Sequence, residues 1–400
     1  FLRDHGDKIT KWGRALADKG DILLYACNLA ATDEGKAFVE RLVDLTGADV
    51  AASTDVTGGE DFNGNWNLEY AKGGIDAAVL AFDPGVGIQL VDTTWTGSVN
   101  TNWNNAGNWS SQAVPAAGQS VSIPGLATNP TLTTTTPVLD YIEISSGAVL
   151  TIGADNISIN TDGYFDCKGT ITAAGDNDIL IQAGGNIRFG VAADPAARIT
   201  TASGDILLDS GAGNGIVLNG SLEITSTGGS VTFADKIDGG SYLTVDAGTG
   251  TAVFQGDIGS TTKPGDLTIT QSGGTTFQGN VATLTSVVLT DTTDGANITF
   301  TGALVTQTLT TAAEPYNLDL HGSGTTITNA VAFAHTGTLA LGNTADDILL
   351  FNGALTATTP SGVTLNGQVR TSGDTISIGD AGTGVTLAGT TSVLDSTNNG

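Results

Sequence analysis

Two cysteines, three histidines and 41 acidic residues carry most of the reactive chemistry open to this chain of 400 residues. Cys27 directly follows the apolar run Ile22-Leu23-Leu24-Tyr25-Ala26 and precedes a helix signal at Thr32-Asp33-Glu34. The carboxyl end of a buried strand is where open α/β sheets gather ligands and reactive groups, and a helix N-terminus lowers a thiol pKa. The chemistry implied is a cysteine nucleophile, which needs a histidine base; the alternative is a small buried hydrophobe. Asp55 either orients a substrate there or caps its own turn. Three acidic stretches, Asp176-Asn177-Asp178, Asp291…Asp294 and Asp346-Asp347, offer the hard oxygen ligands that calcium prefers. None has EF-hand spacing or the Gly-Gly-x-Gly-x-Asp-x-apolar-x pattern. They are read as solvated turn residues, so no metal site or cofactor is assigned, and calcium stays open on charge alone. His321 and His335 are expected in turns or on the surface.

The elements that would position Cys27 are those of an α/β segment. Ile9, Trp12 and Leu16 have helical spacing, with a stop at Gly20. The run 22–26 is the pattern of a strand buried on both faces. Thr32 then offers an N-cap, Phe38, Leu42 and Leu45 a buried stripe, Gly47 a C-cap, and Val50-Ala51-Ala52-Ser53 a second strand. This is one β-α-β unit, expected to be parallel and right-handed. Alternation through Trp66, Leu68 and Tyr70, and again through Ile75, Ala77 and Val79, predicts a closing hairpin.

Beyond residue 110 helical periodicity fades, and a seven-residue row recurs. Its clearest copies are Ala252-Val-Phe-Gln-Gly-Asp-Ile258, Thr275-Thr-Phe-Gln-Gly-Asn-Val281 and Ile298-Thr-Phe-Thr-Gly-Ala-Leu304. Further rows start at Ile216, Val231, Thr325, Leu349, Val363 and Val385, at a mean offset of about 21 residues, within the range of solenoid repeats. Alternation along a strand turns positions 1, 3, 5 and 7 to one side. Position 3 (Leu218, Phe233, Phe254, Phe277, Phe300, Ile327, Phe351, Leu365, Leu387) is expected to form one inward column. Position 7 (Leu222, Ile237, Ile258, Val281, Leu304, Val331, Leu355, Val369, Thr391) is expected to form a second. Position 5 is Gly in seven of nine rows, with Asp235 and Asn329 as the exceptions; these residue types tolerate positive φ, so a left-handed bend is expected. The fold expected is mainly β, a right-handed parallel β-helix preceded by a small partial α/β domain. About twelve coils would span roughly 60 Å. A propeller with two rows per blade and tandem β-sandwiches are the alternatives.

The formal charge is −27, and 14% of residues are charged against 40% hydrophobic. A core is therefore present, with a surface carried by Thr, Ser, Asn and Gly. So few cations argue against nucleic acid. No 18-residue apolar run marks a membrane span, and two cysteines are too few for a disulfide framework, so a Cys27–Cys167 bridge is not expected. All five Trp lie in the first 109 residues, and Asp83-Pro84-Gly85 supplies turn chemistry at the seam. The division expected is a partial α/β domain over 1–82, a linker over 83–94, a lead-in and capping segment over 95–139, and β-helix repeats over 140–400. With no initiator Met and no signal peptide, the chain reads as an internal stretch of a longer protein, with the repeats truncated at the C-terminus.

Several blocks in order carry a family resemblance: Trp12-Gly13, Gly20-Asp-Ile-Leu-Leu-Tyr-Ala-Cys-Asn28, Gly47-Ala-Asp-Val-Ala-Ala-Ser53, Thr57-Gly58 and Trp66-Asn-Leu-Glu69. Through them residues 12–70 resemble the C-terminal half of the bacterial domain of unknown function DUF4347. The resemblance implies a very large bacterial surface or secreted protein with adhesin-type repeats. That domain looks distantly similar to caspase-like cysteine peptidases, which implies a nucleophile at Cys27. The upstream Ser-His-Gly block has no counterpart here, and His5-Gly6 does not take its role. Trp95-Thr-Gly, Asn102-Trp103, Asn108-Trp109-Ser110, Val114-Pro115 and Val121-Ser-Ile-Pro124 resemble the segment that leads into β-helical passengers, and the rows resemble filamentous-haemagglutinin or autotransporter repeats. The expectation is an extracellular or outer-membrane-associated adhesin-like protein, the β-helix its stalk or binding surface, meeting glycans or proteins of a host or neighbouring cell. A displayed cysteine peptidase module is one alternative. A β-helical polysaccharide-active enzyme is another; it would need paired carboxylates brought together by coiling, and Lys168, Arg188, Arg198, Lys236, Lys263 and Arg370 are too scattered to grip an acidic sugar.

Overall fold

A computed structural model describes residues 2–16, 20–55, 57, 65–77, 92–192 and 194–397, the side chains of 2–5, 7, 390 and 391 excepted. Val79 and the side chains of His5 and Thr391 lie outside this set. The chain divides into two compact units, Phe1–Asp92 and Thr93–Gly400.

In the first unit α1 (Leu2–Ala15), β1 (Asp21–Leu24), α2 (Asp33–Thr46), β2 (Asp49–Ala52) and β3 (Tyr70–Lys72) follow in order. β1 and β2 pair in parallel with Asp21 opposite Asp49, and β3 adds antiparallel to β2. The helix signals are realised: Thr32 Oγ1 accepts the Gly35 amide, and Gly47, at φ 72°, closes α2 with its amide on Val43 O. Three expectations fail, the first being a strand buried on both faces, since β1 is half-buried along its whole length. Trp12 is 51% exposed, whereas Ile9 is buried. Gly13 faces α2 instead, and a Cβ there would stand 1.8 Å from Thr46 O, so the closest helix contact is where the side chain is smallest. Nor do the described residues of the hairpin's second arm, 75–77, form a strand. Past Gly73, at φ 95°, the amides of Asp76 and Ala77 bond to Asp21 Oδ2 at 2.7 and 2.6 Å, a side-chain tether in place of a strand ladder.

The second unit is a parallel β-solenoid of about 12 turns. Each turn crosses three faces. One reads Phe165–Cys167 (face A), Thr170–Ala173 (face B) and Ile179–Ala183 (face C). The next places Ile187, Arg198 and Ile206 against Phe165, Thr170 and Ile179. Inward positions of all three faces fill one continuous core. The first turn is closed by Trp95, Trp103 and Trp109, all buried and packed edge to face at 5.1 and 4.7 Å. Asn108, fully buried, ties that segment: its Oδ1 accepts the amides of Val99 and Asn100, and its Nδ2 donates to Asn100 Oδ1 and Asn102 O.

The predicted columns are correct from the second row to the fifth, miss at the first, sixth and seventh, and resume at the eighth, with Leu387 of the last row in line but 63% exposed. Phe233, Phe254, Phe277 and Phe300 stack on face C at 4.7, 4.6 and 4.4 Å, with ring planes within 16°. The column continues through Leu320, Leu341, Leu365 and Leu387. Leu218, Ile327 and Phe351 lie on face A, and Phe351 meets Phe333 edge to face at 6.2 Å. Likewise Ile237, Ile258, Val281 and Leu304 align on face A, while Leu222, Val331 and Leu355 belong to face B. The row describes a corner and not a face. Apolar-x-apolar-x-small-x-apolar fits the turn from C to A and equally the turn from A to B.

The glycine expectation also needs correcting. Asp235 and Asn329 do not have positive φ, and of the row glycines with described geometry only Gly367 does, at 111°. What position 5 requires is thinness. A Cβ on Gly256 would lie 2.3 Å from Lys236 N, one on Gly279 2.6 Å from Gly256 O, and one on Gly302 2.4 Å from Gly279 O. Successive turns touch backbone to backbone at this corner.

His335 is not at the surface. It is fully buried, stacked 5.3 Å from Tyr316 and beside Phe333, with Nε2 3.3 Å from Thr338 O and no partner on Nδ1. Burial lowers its pKa to about 4, against a slight opposing effect of the Thr338 carbonyl. An unfolded histidine titrates near ~6.5. The neutral ring's contribution is therefore complete above pH ~6.5 and lost as pH falls toward 4, a loss on the order of 3 kcal/mol. Thermal melts of wild type and His335→Phe should diverge across that window, the wild type falling further; parallel curves would show that His335 is not buried neutral.

Candidate functional site

The carboxyl ends of β1 and β2 are drawn together by backbone bonds. The Asn28 amide donates to Asp55 O at 2.8 Å and the Ala30 amide to Ser53 O at 2.9 Å, with Asn28 in the left-handed region at φ 56°. This turn holds Cys27 half-buried, its Sγ 3.6 Å from Thr57 O. A carbonyl orients the thiol proton but cannot remove it. Beneath lies a polar knot. The Ser53 hydroxyl, wholly buried, is 3.0 Å from Asp55 O, and Asp55 Oδ2 accepts Asn65 Nδ2 at 2.8 Å. Glu69 Oε2 accepts the Thr54 amide at 2.8 Å. Burial pushes the Glu69 carboxyl up, but bonds from Thr54 and Ser53 outweigh it and leave its pKa below the usual range. Asp55 thus serves its own turn. Neither cysteine is in a disulfide, and Cys167 is a fully buried thiol pushed up to about 12 by desolvation.

In the solenoid the Asp176–Asp178 loop clips one turn to the next, whereas Asp291 and Asp347 cap their own loops. Asp178 Oδ1 accepts the Asp205 amide, and Asp205 Oδ1 the Ser230 amide, each at 2.7 Å. Asp176 reaches Ser203 Oγ at 2.5 Å, and Asp347 Oδ2 binds the amides of Asn343 and Thr344. Among the described residues no group of three or more His, Cys, Asp or Glu is placed to hold a metal ion. Coiling brings Lys168, Arg188 and Arg198 each to a carboxylate of a neighbouring turn, and Lys236 pairs with a carboxylate two residues on. Lys168 meets Glu143 at 2.6 Å, Arg198 meets Glu223 at 2.8 Å, and Lys236 lies 3.8 Å from Asp238. Arg188 lies 4.0 Å from Asp166 and covers the Tyr164 ring. Burial raises the Asp166 carboxyl, opposed by Arg188 and by the hydroxyl of Tyr141 at 3.1 Å. This outer patch on face A has no sequence signature, because its members come from three turns in register, Glu143–Asp166–Arg188.

Comparison with known families then divides the chain in a compatible way. Residues 1–86 match the family described as Domain of unknown function (DUF4347). The resemblance seen through Cys27 and its flanking blocks thus extends over the whole α/β region. Residues 94–193 match a second family, Domain of unknown function (DUF8693), which spans the tryptophan cap and the first turns of the solenoid. No curated protein and no solved structure matches the chain. Among the described residues no helix is long and apolar enough to cross a membrane.

Proposed function

We propose that this chain is part of a bacterial secreted or cell-surface adhesin-like protein in which the solenoid is both stalk and binding face. The observation that carries this reading is the solenoid itself. Its core is continuous over about 12 turns, and its outward positions are rich in Thr, Ser, Asn and Asp. Turns that bury one another extend a surface without requiring a globular body, and hydroxyls and amides on that surface offer hydrogen bonds to glycans or proteins. The DUF4347-like region stands ahead of it. A second reading keeps Cys27 as a caspase-like nucleophile, on the strength of its place between β1 and α2.

Beads coated with the full chain should adhere to epithelial or bacterial cells above beads coated with an inert protein of similar charge. EDTA should leave adhesion unchanged, because Asp176, Asp178, Asp291 and Asp347 already accept hydrogen bonds from hydroxyls and amides of the chain. Adhesion no better than the charge-matched control would end the adhesive reading.

A further inference from the structure

Among the described residues of the solenoid, the exposed aromatic side chain is Tyr242, 54% accessible. It stands where face A turns into face B. Leu222, Leu243 and Leu267 are in register there, which puts Ser221, Tyr242 and Asp266 side by side on the outside. The backbone around it is pinned on both sides: Tyr242 O accepts the Leu222 amide and Ser241 O the Gly265 amide, each at 3.0 Å. The Cδ1–Cε1 side of the ring lies over Gly265, where a Cβ would be 2.8 Å from Cε1, so backbone supports the ring on that side while much of the side chain stays open to solvent.

Two grooves lie close by, the larger reaching Ser241 and the smaller lined by Tyr242 itself. One, of about 630 Å³, is bounded by Asn219, Lys236, Asp238, Ser241, Thr261 and Thr262. The other, of about 300 Å³, is bounded by Ser221, Glu223, Thr244, Asp266 and Thr268. The first is preorganised, since Asp238 Oδ1 holds the amides of Thr261 and Thr262 at 2.7 and 3.1 Å.

We propose that Tyr242 and its two grooves form a binding site for a neutral oligosaccharide. This rests on the adhesive reading and names its ligand class. A pyranose offers an apolar C–H face to an aromatic ring and hydroxyls around its edge, which matches one rigid aromatic platform flanked by short hydroxyl, amide and carboxylate side chains. The groove that Tyr242 itself lines is bounded mostly by polar side chains, whereas the neighbouring one also presents apolar groups, among them Ala192 and Val217. Charge selects against acidic sugars: Glu223, Asp238 and Asp266 face the grooves against one Lys236, on a chain of net charge −27.

The test is titration of the full chain, by calorimetry and saturation-transfer NMR, with neutral hexasaccharides of glucose, N-acetylglucosamine and mannose, and with hexagalacturonate. At least one neutral hexasaccharide should bind, more tightly than its monosaccharide. Tyr242→Ala should weaken it about tenfold and Tyr242→Phe hardly at all, with the melting of both variants unchanged. Binding of hexagalacturonate alone, no binding, or equal affinity of wild type and Tyr242→Ala would overturn the site. If Tyr242→Ala beads still adhere to cells, or protease treatment of the cells abolishes adhesion, the site falls while the adhesive reading stands. If a neutral hexasaccharide binds but wild-type beads do not adhere, the site stands and the adhesive reading falls.

Discussion

Replacing Phe277 by Asp is expected to open the central turns of the solenoid, with hydrogen-exchange protection lost from about Ala252 to Phe300 and retained in the turns before residue 210. Phe277 is fully buried between Phe254 at 4.6 Å and Phe300 at 4.4 Å. Removing a buried phenylalanine costs about 3–5 kcal/mol, and the two stacked pairs add about 1 kcal/mol each. A carboxylate left in that column adds several more. The sum approaches the whole stability of a typical domain, ~5–15 kcal/mol. A repeat contacts only its neighbours, so the damage should stay local and show as a broadened, early transition in urea. The corrected geometry can be tested by coupling. Phe277→Leu and Phe300→Leu touch the same stack and should be non-additive, whereas Phe277→Leu and Phe351→Leu lie on different faces and should add. Unchanged melting of Phe277→Asp, or coupling between positions 277 and 351, would refute the column as described.

That distinction shows what kind of information the sequence holds. Strand alternation, the caps Thr32 and Gly47, and the Phe233–Phe300 stack are local patterns repeated at nearly constant spacing, and each was legible. Which face a row occupies was not, because it depends on the lengths of corners that carry no signal of their own. The corner between Phe254 and Ile258 is three residues, but the path from Ile258 to Asp266 accommodates the loop Gly259–Pro264, and faces A and B are barely separated at Gln307. Each change shifts the register of everything that follows. The same dependence hid the Glu143–Asp166–Arg188 patch and the stacking of His335 on Tyr316. In the first unit Trp12 was taken for core because it is apolar at helical spacing, yet the helices approach at Gly13, where closeness outweighs area. Cys27 lies in the turn expected of it. The role of Asp55 needed the coordinates, since turn cap and substrate ligand share one local sequence.

The glycine corner yields the second large effect, and it separates two reasons for needing glycine. Gly279 has an ordinary backbone, but a Cβ would stand 2.6 Å from Gly256 C, Gly256 O and Asp257 N. Gly295 is the opposite case, at φ 76° with nothing within 4 Å of an added Cβ. At Gly295 alanine suffers only the left-handed penalty of about 1–2 kcal/mol, part of which asparagine recovers. At Gly279 either residue must push two turns apart, at a cost of about 3 kcal/mol or more, and the larger asparagine gains nothing. The order of melting temperatures should therefore invert: asparagine above alanine at 295, alanine equal to or above asparagine at 279. The two natural exceptions fit a steric reading. Asp235 turns its carboxylate to the Ser210 amide at 2.7 Å and Asn329 its amide to Thr308 Oγ1 at 2.9 Å, each reaching toward the preceding turn where that corner leaves room for a side chain. If asparagine rescued position 279 as it does 295, the corner would be a matter of dihedral angle after all, and the close-stacked ladder from Gly256 to Gly302 would lose its explanation.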